Sequence, residues 1–103
     1  MSKQQRLSDK LSAEFAPHFL HVENESHMHS SGRGAESHFK VVVVSDKFEG
    51  LRKVARHRLI YSLFEQELSN GIHALALHTY TREEWIALSE TVPVSTNGLG
   101  LGQ

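Results

Sequence analysis

Histidine is the residue type this chain over-uses. It has eight, against two tyrosines, one tryptophan and no cysteine. Histidine is the commonest metal ligand and titrates near neutral pH, so the excess points to metal or proton chemistry. His27 and His29 lie two apart in a polar stretch. With His73 they make the donor set of a three-histidine zinc site that keeps one position open. The spacing is unspecific, and the plain reading is two solvated loop histidines and one satisfied core histidine. Without cysteine there is no disulfide framework and no thiol nucleophile. Any soft metal centre would need thiolates from a partner.

A second cluster is cationic: Arg52, Lys53, Arg56, His57 and Arg58. Arg52 and Arg56 are four apart, as are Lys53 and His57, so on a helix each pair shares a side. Such a stripe suits phosphates or a major groove. Its plain reading is the solvated face of an amphipathic helix, with Glu49 and Glu65 nearby. The net charge of −1 argues against a protein built mainly to grip nucleic acid, but leaves room for a local basic face. Ser26, Ser30, Ser31 and Ser37 lie near histidines, yet no G-x-S-x-G, H-E-x-x-H or P-loop pattern occurs. An enzyme is not expected.

The elements that must position these residues are legible from periodicity. The 103 residues suit one domain. Ser2 to Ala16 reads as a helix, opened by Ser2 with Gln5 as a capping box and carrying Leu7, Leu11 and Phe15 at i, i+4 and i+8. Pro17 ends it. Phe19 to Asn24 alternates as a strand. Residues 25–35 form a long Ser, Gly and His-rich loop, a length usually functional or mobile. His38 to Ser45, with its Val41–Val44 run, is the clearest strand. Leu51 to Leu68 is helical, as one helix or two, with Leu51, Val54, Ala55, Leu59, Leu63 and Leu68 forming an apolar stripe widened by Ile60 and Phe64. Asn70-Gly71 supplies a left-handed stop. Ile72 to Tyr80 is the third strand. Thr81 and Glu84 form a second capping box, opening a helix whose Trp85 and Leu88 are expected in the core. Residues 95–103 read as a flexible tail after a domain spanning 1–94.

The order αββα(α)βα predicts an α+β domain: a three-stranded mixed sheet with helices mainly on one face. Its first two strands should be antiparallel, and the third, returning after helix, can run parallel to a neighbour. The N-terminus lacks an apolar signal region, and the longest apolar run, Val41 to Val44, is far short of a membrane span. A cytoplasmic location without membrane contact is the expectation.

The assembled residues resemble the BolA-like family, most nearly its bacterial members. The likeness rests on Glu36-Ser37-His38-Phe39-Lys40 running into Val41–Val44 and Ser45, then Phe48-Glu49-Gly50 and Arg56-His57-Arg58-Leu59-Ile60-Tyr61. It continues through His73-Ala74-Leu75-Ala76-Leu77-His78-Thr79-Tyr80-Thr81 and Glu84-Trp85, with Glu25-Ser26 and His29 in the loop. The resemblance implies a fold similar to type II KH domains. It implies a monothiol glutaredoxin partner and a bridging [2Fe–2S] cluster, in iron–sulfur trafficking or iron and redox sensing. The family's ligand positions fall on His29 and His73, while a glutaredoxin cysteine and glutathione complete the cluster. No cofactor is then expected in the isolated chain, a monomer or weak homodimer. Two histidines on one iron are known from Rieske-type centres. The family's pattern has no fixed histidine at position 27, so whether His27 substitutes for His29 stays open. The bacterial members are also transcriptional regulators linked to stress and cell shape, which makes DNA the second partner, met by Arg52 to Arg58. KH domains clamp a nucleic-acid backbone with G-x-x-G. Here that stretch reads Gly50-Leu51-Arg52-Lys53, without the second glycine.

One tension accompanies His73. Strict alternation puts it on the face of Leu75 and Leu77, which read as core, so as a ligand it must sit where that face opens.

Overall fold

The computed structural model of the chain describes residues 2–26 and 36–91. The elements are α1 (Lys3–Phe15), β1 (Phe19–Asn24), β2 (His38–Val44), α2 (Lys53–Leu63), α3 (Glu65–Ser69), β3 (Ala74–Tyr80) and α4 (Arg82–Thr91), with a 3-10 turn at Asp46–Phe48. This is the α+β order the periodicity predicts. His27, His29 and the tail 95–103 lie outside the described residues.

Helix α1 begins where the Ser2 hydroxyl accepts the Gln5 amide at 3.1 Å. Only half of the capping box forms, because the Gln5 side chain donates forward to Asp9 instead. Leu7, Leu11 and Phe15 are buried in one row. Ala16 closes the helix in a left-handed conformation, φ 42°. That conformation costs a non-glycine residue roughly 1 kcal/mol. The Phe15 carbonyl is held by the Ser45 hydroxyl at 2.7 Å, tying the helix end to the end of β2.

The sheet order is β1-β2-β3, with β1 antiparallel and β3 parallel to the central β2. Phe39, Val41, Val43, Val22 and Leu75 meet Leu7, Leu11, Phe48, Ile60 and Phe64 in one core. The helices α1 to α3 cover this inner face. A half-buried ion pair joins two of them, Lys10 Nζ lying 3.0 Å from Glu67 of α3.

The helical stretch after Gly50 breaks in two at Phe64, whose backbone leaves the helical region at φ −104°, ψ 23° while its ring is fully buried. The inward face keeps only part of the expected stripe, with Leu63 and Leu68 packed against the core. Val54 and Leu59 are exposed, and Arg56, Ile60 and Phe64 point inward. The helix is rotated because Arg56 finds charged and carbonyl partners inside, as described below.

The Thr81–Glu84 capping box forms reciprocally, the Glu84 amide donating to Thr81 Oγ1 at 3.1 Å and the Thr81 amide to Glu84 Oε1 at 2.9 Å. Trp85 is not a core residue. It is half-buried on the outer face of the sheet, stacked on Phe19 (centroids 5.2 Å apart, planes 17°) and tilted against Tyr80 (5.3 Å). Leu88 is exposed. Alternation explains the placement: Phe19 and Tyr80 flank Val44 in register, and all three project away from the α1 side.

Candidate functional site

His73 stands one residue before β3 and is exposed. The alternation that would turn its side chain inward starts only at Ala74, so Leu75 is buried and His73 is not. Its backbone is held nonetheless: the His73 amide donates to the Ser37 carbonyl at 2.7 Å, as does Ala74 at 3.2 Å. The His38 ring lies edge-on to the His73 ring, centroids 5.7 Å apart.

The two ends of the 27–35 segment are tied down beside this pair. The buried Ser26 hydroxyl accepts the Ser37 amide at 2.9 Å and the His38 amide at 3.1 Å. The Asn24 side chain accepts the Ser26 amide at 2.9 Å. The Glu25 amide donates to the His38 carbonyl at 2.8 Å. The segment that carries His29 thus leaves and returns within one hydrogen bond of the backbone that fixes His73. Sequence reasoning missed this clamp: Ser26 and Ser37 read as loop serines, and nothing local shows that one hydroxyl serves two amides eleven and twelve residues on. Ser37 Oγ lies 2.9 Å from His38 Nδ1, but it is buried at the strand start and presents no nucleophile to a cleft.

The cationic cluster divides. Arg52, Lys53 and Arg58 are exposed. Arg56 is only 4% exposed. Its guanidinium binds both carboxylate oxygens of Glu84 at 2.6 and 3.0 Å, the Leu51 carbonyl at 2.9 Å and the Thr79 carbonyl at 3.2 Å. With four of its five N–H donors so engaged and little surface exposed, this arginine is not presented to a phosphate, and it serves as the bolt between α2, β3 and α4. The hydrogen bonds from Arg56, and then that from the Thr81 amide, hold the Glu84 carboxyl down at about 2. His57 is half-buried, and its pKa is lowered first by that burial and then by the positive charge of Lys53, His78 and Arg56. What remains exposed of the cationic cluster is Arg52 and Lys53 at the start of α2, with Arg58 five residues after Lys53 on another side of the helix.

Among the described residues, no group of three or more His, Asp or Glu side chains is placed to hold a metal ion. His73 with His38 gives at most two imidazoles. A metal centre here needs donors from the 27–35 segment or from a partner. No helix among the described residues is long and apolar enough to cross a membrane.

Comparison with known proteins agrees with this architecture. The BolA-like protein family matches residues 11–84. The chain is 57% identical over 103 residues to the DNA-binding transcriptional regulator BolA of Haemophilus influenzae, covering 100% of both. It is 52% identical over 102 residues to the protein of the same name from Escherichia coli K12, covering 99% of this chain and 97% of that one. The solved BolA domain of SufE1 from Arabidopsis thaliana superposes with a TM-score of 0.77 at 43% identity, over 82% of this chain and 96% of that domain. Sequence, topology and superposition agree that the chain belongs to the BolA-like protein family.

Proposed function

We propose that this chain is a DNA-binding transcriptional regulator acting in the cytoplasm. The observation that carries the reading is full-length likeness: relatives 57% and 52% identical over essentially the whole chain bear that name. The exposed Arg52, Lys53 and Arg58 supply the positive charge such contact needs. The test is fluorescence anisotropy with duplex DNA across a salt series. Arg52, Lys53 and Arg58 changed together to Ala should weaken binding and flatten its salt dependence, by a slope of about 0.9 per lost phosphate contact. A triple variant that binds with the wild-type slope would place the interface elsewhere. No duplex binding at low salt would defeat the reading. Arg56 stays out of the test, because its loss would act through the fold.

A second reading is compatible with the first and is favoured by the geometry at His73. In it the chain docks on a monothiol glutaredoxin and completes a shared [2Fe–2S] cluster with His73 and His29, the other iron taking the glutaredoxin cysteine and glutathione. What supports it is an exposed imidazole on a pinned backbone, beside the clamped base of the segment that carries His29. The donor chemistry fits, since an all-imidazole contribution suits a cluster that draws its thiolates from outside. Bound there, the cluster would supply one-electron redox chemistry and a signal of iron status. Anaerobic reconstitution with a monothiol glutaredoxin, followed by visible absorption and circular dichroism, tests it. A wild-type spectrum from His73→Ala would remove His73 from the ligand set.

A further inference from the structure

The outer face of the sheet carries a surface that neither reading uses except for Lys53 at its margin. Helices α1 to α3 lie on the inner face, and α4 reaches only the outer end, through Trp85. Beyond it, in register across the three strands, lie His21, Val42 and His78, then Glu23, Lys40 and Ala76. Of these, His21, Glu23, Ala76 and His78 are exposed, and Lys40 and Val42 half-exposed. The aromatic trio Phe19, Trp85 and Tyr80 walls one end, with Phe19 itself 42% exposed. A shallow cleft of about 260 Å³ lies between that wall and the floor of Lys40, Val42 and the two histidines.

The charge around the cleft is cationic. Lys40 rises from its floor, and Lys53 Nζ sits 5.7 Å from the centre of the Tyr80 ring, in the adjoining hollow lined by Lys53, Tyr80 and Glu84. The two carboxylates nearby are engaged: Glu23 meets His21 at 3.2 Å, and Glu84 is held by Arg56. His57 registers the same field, since Lys53 and His78 both disfavour its charged form, second to burial.

We propose that this outer sheet face binds single-stranded nucleic acid, one base stacking against the Phe19–Trp85–Tyr80 wall while Lys40 and Lys53 take the flanking phosphates. An open sheet offering rings and cations together is how single strands are held without a groove, because every base has a π-face and every linkage a negative charge. A duplex cannot use the site, because its bases are already stacked on one another. The site is therefore distinct from the duplex contact proposed at α2, with which it shares only Lys53, and does not rest on it.

Trp85, the only tryptophan in the chain, is a built-in reporter. The full chain is titrated with a twelve-nucleotide oligo-dT and, in a parallel arm, oligo-rU, following tryptophan fluorescence and the anisotropy of labelled oligonucleotide. Either oligonucleotide should quench Trp85 on binding. Lys40→Glu should weaken that binding about tenfold or more and reduce its salt slope, and Phe19→Ala should weaken it with little change in slope. Arg58→Ala, on the far side of α2, should leave it unchanged while weakening duplex binding. Lys40→Glu alters a half-exposed side chain, so it keeps the test valid if Phe19→Ala loosens α4. No quenching by either oligonucleotide at low salt would overturn the proposal. So would single-strand binding that Lys40→Glu leaves intact, or that Arg58→Ala weakens as much as Lys40→Glu does.

Discussion

The Arg56 guanidinium closes on both oxygens of the Glu84 carboxylate, Nη1 to Oε1 at 2.6 Å and Nη2 to Oε2 at 3.0 Å. Bidentate pairing of this kind fixes direction as well as distance. Glu84 is already held by its own helix start, its Oε1 accepting the Thr81 amide, so the pair locks α4 to α2. The same contact turns the cationic side of α2 inward at one position and leaves Val54 and Leu59 outside.

Breaking the pair should cost stability. Arg56→Ala removes a buried cation that also satisfies two carbonyls, and Glu84→Ala strands that cation. Each should destabilise by about 2–4 kcal/mol, toward the low end for a buried pair because Glu84 keeps nearly half its surface in water. Arg56→Lys should not restore the loss, since an ammonium cannot reproduce the fork. Urea unfolding monitored by circular dichroism measures all three.

Acid should attack the same joint. Glu84 is held at about 2 against an ordinary value near 4.5, chiefly by the hydrogen bonds from Arg56. A carboxyl depressed on folding stabilises fully above its unfolded value and loses that contribution as pH falls through its folded one. Stability should therefore decline between about pH 5 and pH 2, and Glu84→Gln should flatten that limb. Added salt should weaken the effect, because the carboxylate is part-exposed. His57 acts in the same sense at higher pH: burial and its cationic neighbours favour the neutral ring in the folded chain. His57→Gln should thus reduce the loss of stability on acidification below neutrality.

Trp85→Ala should cost about 2–3 kcal/mol, less than the roughly 3–5 typical of a fully buried large aromatic. Phe64→Ala, whose ring is wholly enclosed, should show the larger value. A double-mutant cycle between Phe19 and Trp85 should give a coupling of about 0.5–1.5 kcal/mol, as stacked rings do. Thermal unfolding of the wild type and the four variants tests the ranking and the coupling.

His73→Ala should leave the fold intact, since the side chain is exposed and the bond to Ser37 is made by the backbone. In the glutaredoxin reading it should abolish the mixed cluster spectrum while the two proteins still associate. His29→Ala should leave a labile or altered cluster, one imidazole donor short. His29→Cys should restore a cluster of lower reduction potential, thiolate donation favouring oxidised iron. Melting temperature alongside visible circular dichroism separates folding from ligation.

Much of this protein was legible in one dimension because the signals are local. The Leu7, Leu11, Phe15 row, the strand Phe19–Asn24, the Val41–Val44 run, the Thr81–Glu84 cap and the turn at Gly71, φ 110°, depend on neighbours within a few residues. Backbone propensity and hydrophobic period act over that range. His73 was also marked from sequence, as a resemblance. What only the tertiary structure decided is which way borderline residues face. An arginine among arginines on an amphipathic helix reads as solvated until Glu84, 28 positions on, is brought opposite it. Trp85 reads as core until Phe19 and Tyr80 meet it on the outer face of the sheet. The Ser26 clamp exists only because β1 and β2 pair. Each contact joins residues far apart in the chain, and a local pattern carries no record of the partner that will satisfy a buried charge, ring or amide.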